Sequence, residues 1–249
     1  MTSVGLLTLL GLRAQNAANV QVGVDCRAVL FDLDGVLVDS TASVERHWAA
    51  FAARHGLDLQ AIRHATHGRR SPDTIREVAP HLNAEAEGLR IDRDQAHDTD
   101  GLRPISGAAR LVAALSGAAW AVVTSGPRFL AEARLQMVGL PLPDVLVSGD
   151  AVQFGKPDPS GYLAAAAQLG ADPADCVVFE DAPAGVSAAT AAGMPVIGVL
   201  THHRARELPG VHTAVHDLRS VQVVGADHDR IELHIWPAAA SSQTEHRDR

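Results

Sequence analysis

Short apolar segments alternate with longer alanine-rich segments in the second half of the chain, and this alternation limits the fold more than any other feature. The alanine-rich segments have helical spacing and stop at Gly139, Gly170 and Gly193, a residue that commonly ends helices. Strands that alternate with helices indicate a parallel sheet covered on both faces. The predicted fold class is therefore α/β, a doubly wound, Rossmann-like parallel sheet. We predict strands at 27–33, 120–124, 144–147, 176–179, 195–199 and, more weakly, 212–215, and helices at 107–115, 128–138, 160–169 and 184–192.

A helical segment interrupts this alternation after the first predicted strand. Apolar side chains share one face of a helix at 41–55, and helical patterns also cover 71–79 and 84–97, the first of these with Ser71 as its N-cap. Residues 57–100 contain no convincing strand. We expect an N-terminal extension, a core in two parts, a helical cap and a C-terminal extension, at residues 1–26, 27–39 with 101–225, 40–100 and 226–249.

The two terminal extensions have weaker patterns. Residues 4–12 are apolar but lack the basic flank and the cleavage site of a signal peptide. Residues 231–236 alternate between apolar and polar side chains, which is typical of an edge strand. The segment after Pro237 is polar, and we expect disorder at the end of the chain.

Composition restricts the possible partners and the compartment. The formal net charge of −8 argues against a nucleic acid or an anionic membrane surface as the partner. No apolar run has the roughly 20 residues that a membrane span needs. The two cysteines provide neither a disulfide framework nor a Cys-x-x-Cys metal motif. We expect a cytoplasmic protein with reduced thiols, a monomer or small homo-oligomer that acts on a small molecule.

The first predicted strand ends in two aspartates, Asp32 and Asp34, before Gly35. Because side chains alternate along a strand, both carboxylates share a face if the strand continues through them. They lie where open α/β sheets bind their ligands, at the carboxyl ends of the strands. One carboxylate can attack an electrophile such as phosphorus while the other transfers a proton. The alternative is a solvated Asp-Gly turn.

Two later motifs also follow predicted strands and fit a bound phosphate. The hydroxyl of Thr124 and the backbone N–H groups of Ser125 and Gly126 precede a helix, where phosphate oxygens bind readily. The same residues are common in ordinary turns and helix caps. Lys156, the only lysine of the chain, lies between a glycine and a proline, and its ammonium can neutralise both a phosphate and Asp32. The alternative is an exposed surface lysine.

A third motif, Glu180 and Asp181, ends another apolar strand. Together with Asp32 these carboxylates can supply the oxygen ligands that small divalent cations prefer. The alternative role of Asp181 is the N-cap of the next helix. The adjacent His202 and His203 lie in a loop without nearby cysteine or a His-x-x-x-His helix, so we interpret them as surface residues and not as a zinc site.

The joint occurrence of these motifs over residues 27 to about 220 resembles the haloacid dehalogenase superfamily, subfamily IA with a type-1 helical cap. The resemblance implies that Asp32 is the nucleophile and that Asp34 is the general acid and then the general base. It also implies that Thr124 and Lys156 hold the transferring phosphoryl group, with Ser125 and Gly126 beside them. The implied Mg²⁺ ligands are Asp32, the Asp34 carbonyl, Asp181 and Glu180, the last directly or through water.

The cap loop at 66–75 carries the substrate residues that the resemblance implies, His67, Gly68, Arg69 and Arg70. In β-phosphoglucomutase the matching loop has a lysine before the glycine and an arginine three residues after it, where this chain has His67 and Ser71. The sequence is more similar to glycerol-phosphate and 2-deoxyglucose-6-phosphate phosphatases. Arg69 and Arg70 are equally compatible with solvated positions.

Together with these patterns, the resemblance implies a Mg²⁺-dependent phosphatase that hydrolyses a small sugar or polyol phosphate through an aspartyl-phosphate. A hexose-phosphate mutase is the alternative within the enzymes, and dehalogenation is less compatible with the acidic metal motif. A catalytically inactive binding or regulatory protein on the same scaffold is the alternative of another class, because a fold by itself does not establish activity.

Overall fold

The computed structural model describes residues 13–15, 21–227 and 229–238 of the 249. The strands are β1 (Arg13–Gln15), β2 (Gln21–Cys26), β3 (Ala28–Phe31), β4 (Val38–Asp39), β5 (Arg103–Pro104), β6 (Trp120–Val123), β7 (Val145–Val147), β8 (Cys176–Glu180), β9 (Val196–Val199), β10 (Thr213–Val215), β11 (Val221–Ala226) and β12 (Ile231–Ile235). The helices are α1 (Thr41–His55), α2 (Leu59–Thr66), α3 (Ser71–Val78), α4 (Ala84–Ala96), α5 (Ala108–Ala114), α6 (Arg128–Met137), α7 (Ser160–Leu169) and α8 (Pro183–Ala191).

The main sheet has six parallel strands in the order β10–β9–β8–β3–β6–β7. Strand β3 lies in the interior of this sheet, and all four of its residues are buried. Its side chains alternate between two cores, with Val29 and Phe31 on one face of the sheet and Ala28 and Leu30 on the other. The prediction of an α/β fold with a doubly wound parallel sheet is confirmed.

Helices cover both faces of this sheet. Helices α5 and α6 contribute Leu111, Val112 and Leu135 to the core on one face. Helices α7 and α8 contribute Tyr162 and Val186, among others, to the core on the opposite face. Because both faces are covered, the carboxyl ends of the strands are the part of the sheet that remains open to a ligand.

Helices α1 to α4, here called the cap helices, pack around a separate apolar cluster that includes Trp48, Phe51, Ile75 and Ile91. Strands β4 and β5 pair where the chain enters and leaves these helices, a short antiparallel ladder that the sequence did not reveal. Helix α3 begins at Ser71 itself, so the prediction of Ser71 as the N-cap is off by one residue.

A second sheet packs against the core, with the order β1–β2–β12–β11 and antiparallel pairing throughout. The prediction of an edge strand at 231–236 is wrong, because β12 pairs with both β2 and β11. Ile231, Leu233 and Ile235 face the core that also lies beneath the main sheet. Its partner β2 lies about two hundred residues away in the sequence, a distance over which alternation gives no pairing information.

The predictions for the apolar segment 4–12 and for disorder at the end of the chain fall mostly outside the described residues. Within the described ranges, no helix combines the length and the apolar character needed to cross a bilayer.

Candidate active site

The two aspartates of the first motif lie at the carboxyl end of β3, at the sheet edge facing the cap helices. Asp32 is 5% exposed, and its backbone N–H donates to the carbonyl of Phe179 on the neighbouring strand. Asp34 follows in a turn, where Ser40 Oγ donates to its Oδ1 at 2.7 Å. Gly35 has φ of 84°, and a Cβ at this position would lie 2.1 Å from Asp181 Oδ2. The turn therefore needs glycine both for its backbone angle and for the close approach of a carboxylate.

Lys156 is buried and connects two of the motifs. Its Nζ donates to Asp32 Oδ1 at 2.5 Å, to Glu180 Oε1 at 2.6 Å and to the carbonyl of Val123 at 3.1 Å. Burial lowers the pKa of this ammonium, but Asp32 and Glu180 more than offset it and raise the pKa above its ordinary value. The side chain is 6% exposed, which excludes the alternative of a solvated surface lysine.

Glu180 is completely buried and accepts hydrogen bonds at both carboxylate oxygens. Oε1 accepts from Lys156 and, at 2.7 Å, from the hydroxyl of Tyr162, while Oε2 accepts from the backbone N–H groups of Asp181 and Ala182 at 3.0 and 3.2 Å. These donors fix the orientation of the carboxylate. Tyr162 is a fully buried member of this network that the sequence analysis did not identify.

Asp32, Glu180 and Asp181 form a buried acidic cluster, with one oxygen from each carboxylate within 4.8 Å of the others. Burial raises the pKa of Asp32 well above its ordinary value against the opposing charge of Lys156, and burial also raises the pKa of Asp181. Three buried carboxylates beside one ammonium leave negative charge that a cation can neutralise. Their oxygens are the ligands that hard divalent ions prefer, so the donor set fits Mg²⁺.

The phosphate-binding motif Thr124–Gly126, here called the second motif, lines the same cavity as Asp32. Thr124 is 5% exposed, and its Oγ1 accepts a hydrogen bond from the N–H of Gly126 at 3.1 Å. The hydroxyl of Ser125 donates to the carbonyl of Gly68 at 2.8 Å, which connects the core to the cap helices. The structure thus brings together all four segments that the sequence singled out.

A cavity of about 110 Å³ lies between the cap helices and the carboxyl edge of the main sheet. Its walls carry the predicted catalytic pair, the second motif, Asp181 and part of the cap loop. From the cap loop, His67, Gly68 and Arg69 line it. A ligand that reaches Asp32 therefore contacts the core on one side and the cap on the other.

Arg70 is not among the residues that line this cavity. Its Nε donates to Asp73 at 2.5 Å, and its Nη1 donates to the carbonyls of Gly149, Val152 and Gln153 in the core. The side chain connects cap and core. We therefore leave Arg70 out of the substrate contacts that we propose below, in contrast to the expectation from the sequence.

The interpretation of His202 and His203 as surface residues is wrong. Nδ1 of His202 lies 2.6 Å from Asp181 Oδ2, and its Nε2 lies 2.6 Å from Oγ1 of Thr41. Nδ1 of His203 lies 2.9 Å from the carbonyl of Asp181. Burial lowers the pKa of His202, but Asp181 offsets this and the pKa is raised. The pair closely follows β9, and a location at the carboxyl edge of the sheet was the signal available in the sequence.

Asp92, Gln95 and Arg134 also line the cavity and were not identified from the sequence. Nη1 of Arg134 donates to Asp34 Oδ2 at 2.6 Å, so a cation contacts the second aspartate of the first motif. The side chain of Arg134 is 4% exposed. Helical spacing places these residues on buried faces but does not distinguish a polar side chain in a cavity from one in an ordinary network.

A parallel α/β sheet with an aspartate pair, a buried lysine and an acidic cluster at its carboxyl edge defines a class of hydrolases. Residues 26–193 match the family of haloacid dehalogenase-like hydrolases, and the chain belongs to this family. The family predicted from the sequence is confirmed.

Curated relatives of the chain include several phosphatases. Hexitol phosphatase A of Escherichia coli is 41% identical over 203 residues, which cover 80% of this chain and 94% of the relative. The 2-deoxyglucose-6-phosphate phosphatase 2 of Saccharomyces cerevisiae is 33% identical over 232 residues, which cover 83% of this chain and 94% of the relative. Among solved structures, a hydrolase from Pseudomonas syringae superposes with a TM-score of 0.70 at 25% identity, covering 77% of this chain and 94% of that one.

Proposed function

We propose that this protein is a Mg²⁺-dependent phosphatase that hydrolyses the monophosphate ester of a small sugar or polyol. The observation that carries the proposal is the convergence of Lys156, Glu180 and Asp181 on Asp32, which lines the cavity between cap and core. The names of the relatives, which include hexitol and 2-deoxyglucose-6-phosphate phosphatases, support phosphate esters of this size. We also propose that the protein is cytoplasmic, a monomer or small homo-oligomer, without a nucleic-acid or membrane partner.

Asp32 is the proposed nucleophile. An oxygen of its carboxylate forms a bond to phosphorus as the bond between phosphorus and the ester oxygen breaks, and Asp34 transfers a proton to the leaving alcohol. Asp34 then takes a proton from water, whose oxygen attacks the aspartyl-phosphate. The bond between phosphorus and Asp32 breaks, which releases phosphate and restores the carboxylate.

The groups around Asp32 stabilise the charge of the transferring phosphoryl group. Its negative charge is spread over three oxygens, so fixed positive charge and N–H donors lower the barrier. The ammonium of Lys156 supplies such a charge, and the hydroxyl of Thr124 and the N–H of Ser125 supply donors. The N–H of Gly126 donates to Thr124 Oγ1 and orients that hydroxyl. Asp32, Glu180, Asp181 and the Asp34 carbonyl would hold Mg²⁺, which when bound supplies further positive charge at the phosphate.

The cap helices form the outer wall of the cavity. His67, Gly68 and Arg69 are the proposed cap contacts of the substrate. Closure of the cap on the core excludes bulk water while the phosphoryl group is transferred, and opening releases the products. The hydroxyl of Ser125, which donates to the carbonyl of Gly68, joins the core to the cap beside this cavity.

Phosphate release from a panel of esters tests this function. We expect release from sorbitol 6-phosphate, 2-deoxyglucose 6-phosphate or glycerol phosphate with Mg²⁺, and its loss after chelation. Asp32→Asn should lower turnover by about 1,000-fold or more, because the nucleophile is removed. An Asp32→Asn variant with undiminished turnover would refute the assignment.

The same protein preparation distinguishes a phosphatase from a mutase and from an inactive binding protein. Isomerised product from β-glucose 1-phosphate with a bisphosphate primer, in place of free phosphate, would indicate a mutase. No release from any ester with any divalent metal would favour an inactive binding protein.

A further inference from the structure

Three polar side chains at the cavity wall have no part in the phosphoryl transfer described above. Asp92 and Gln95 extend from cap helix α4, and Arg134 extends from core helix α6. They are 6%, 3% and 3% exposed, and each lines the cavity. Buried polar groups cost free energy unless they are hydrogen-bonded, so their placement at a cavity needs an explanation.

Arg134 joins the cap to the acid–base residue. Its Nη1 donates to Asp34 Oδ2 at 2.6 Å, and its Nη2 donates to Gln95 Oε1 at 2.5 Å. Its Nε, in contrast, is buried without a hydrogen-bond partner among the described residues. A buried N–H group of this kind is costly, and the fold retains it where the guanidinium holds both Asp34 and Gln95.

Asp92 is only partly satisfied by the protein. Ser71 Oγ donates to its Oδ1 at 2.6 Å. Burial raises the pKa of Asp92 to about 6, although the bond from Ser71 and the charge of Arg134 act in the opposite direction. A carboxylate accepts several hydrogen bonds, so further donors from a ligand would stabilise its charged form.

The charges of this wall indicate what kind of ligand part it accepts. Arg134 is the single cation of the group and is already paired with Asp34, while Asp92 adds a second carboxylate. The wall is therefore unfavourable for a second phosphate. It combines a carboxylate acceptor, an amide and a guanidinium N–H donor, and this combination complements neighbouring hydroxyl groups, which donate and accept together.

We infer that Asp92, Gln95 and Arg134 form a subsite that recognises the hydroxyl groups of the substrate's carbon chain and thereby selects polyol monophosphates. This inference rests on the proposed function and deepens it. Asp92 and Gln95 determine specificity, whereas Arg134 also contacts Asp34 and influences every substrate. The ester phosphate is held by the core at Asp32, and the hydroxyl-bearing chain extends along the cap.

Two esters separate hydroxyl recognition from phosphoryl transfer, namely sorbitol 6-phosphate and p-nitrophenyl phosphate, which has no hydroxyl group. We expect Asp92→Asn to lower kcat/KM for sorbitol 6-phosphate by about 10- to 100-fold. For p-nitrophenyl phosphate we expect changes of less than about 3-fold. The control is Asp94→Asn, an exposed carboxylate on the same helix, which should change neither substrate.

Equal losses with both esters, or no loss with sorbitol 6-phosphate, would overturn the subsite. Calorimetric binding to Asp32→Asn protein, with and without Asp92→Asn, makes the test independent of turnover. The subsite predicts that Asp32→Asn protein binds sorbitol 6-phosphate more tightly than ethyl phosphate and that Asp92→Asn removes this preference. If the native chain hydrolyses neither ester, the proposed function fails, while the binding preference still supports or overturns the subsite.

Discussion

The ammonium of Lys156 lies 2.5 Å from Oδ1 of Asp32 and also bonds to Glu180, so a single cation compensates two buried carboxylates. Removing one partner of a buried ion pair leaves uncompensated charge. We expect Lys156→Met to lower the free energy of unfolding by about 3–5 kcal/mol and phosphate release by about 100-fold or more. Urea unfolding and a phosphate assay measure the two effects.

The matched control for Lys156→Met is Arg103→Met. The guanidinium of Arg103 pairs with Asp39 at 2.7 Å, but its side chain is 75% exposed. Exposed pairs contribute about 1 kcal/mol or less, so this variant should remain close to the native chain. Equal losses in the two variants would contradict the role of burial at Lys156.

Gly185 is needed because the carboxylate of Glu180 occupies the space beside it. A Cβ at this position would lie 1.6 Å from Glu180 Oε1. We expect Gly185→Ala to displace Glu180, to destabilise the fold by about 2–4 kcal/mol and to reduce turnover. Gly225→Ala is the control, since nothing lies within 4 Å of its added Cβ. Thermal unfolding of the two variants checks this, and a native melting temperature for Gly185→Ala would be the contrary result.

His202 orients Asp181 through the contact between its Nδ1 and Asp181 Oδ2. Groups that orient metal ligands commonly contribute 10- to 100-fold to metal affinity or activity. We expect His202→Asn to raise the Mg²⁺ concentration for half-maximal activity by about 10-fold, and the exposed His216→Asn to leave it unchanged. Activity titrated with Mg²⁺ gives both values. Identical titration curves for the two variants would count against this role.

Asp92 should lower the stability of the folded chain at neutral pH. Its pKa is raised from 3.8 to about 6, so the folded state holds the proton more tightly than the unfolded state does. Stability therefore falls as the pH rises between these values, by roughly 3 kcal/mol in total. Asp92→Asn removes this loss, so the variant should exceed the native chain in stability near pH 7 and match it near pH 4.

Urea unfolding of both proteins across this pH range measures the effect of Asp92. Parallel pH profiles for Asp92→Asn and the native chain would disprove it. A more stable variant with weaker hydrolysis of sorbitol 6-phosphate would show that a specificity residue is retained at the expense of stability.

Local patterns predicted the main sheet and the cap helices α1, α3 and α4, but helix α2 (Leu59–Thr66) was not predicted. Strand β8 was expected at 176–179 and extends over Cys176–Glu180, and helix α7 was expected at 160–169 and occupies those residues. Strong apolar runs and a helix-ending glycine are local signals, so strands and helices can be predicted from them without knowledge of the fold. The β4–β5 ladder was missed because each strand has only two residues.

The acidic and phosphate-binding motifs were visible because each follows directly after an apolar strand. The sequence showed that Lys156 is the only lysine of the chain, but it did not show that this side chain is buried. His202 and Arg134 were not visible as site residues. Each reaches the cavity through side-chain contacts, to Asp181 and to Asp34, that join segments far apart in the sequence.

The sequence alone determined the order of the main-sheet strands and the helices between them, the family and the chemical groups available at the carboxyl edge of the sheet, because these depend on residues close together along the chain. Tertiary structure decided which side chains meet. It paired β12 with β2, engaged Arg70 between cap and core, and placed Asp92 beside the cavity. The physical reason is that burial, hydrogen-bond partners and pKa values arise from packing between distant segments, which no local pattern records.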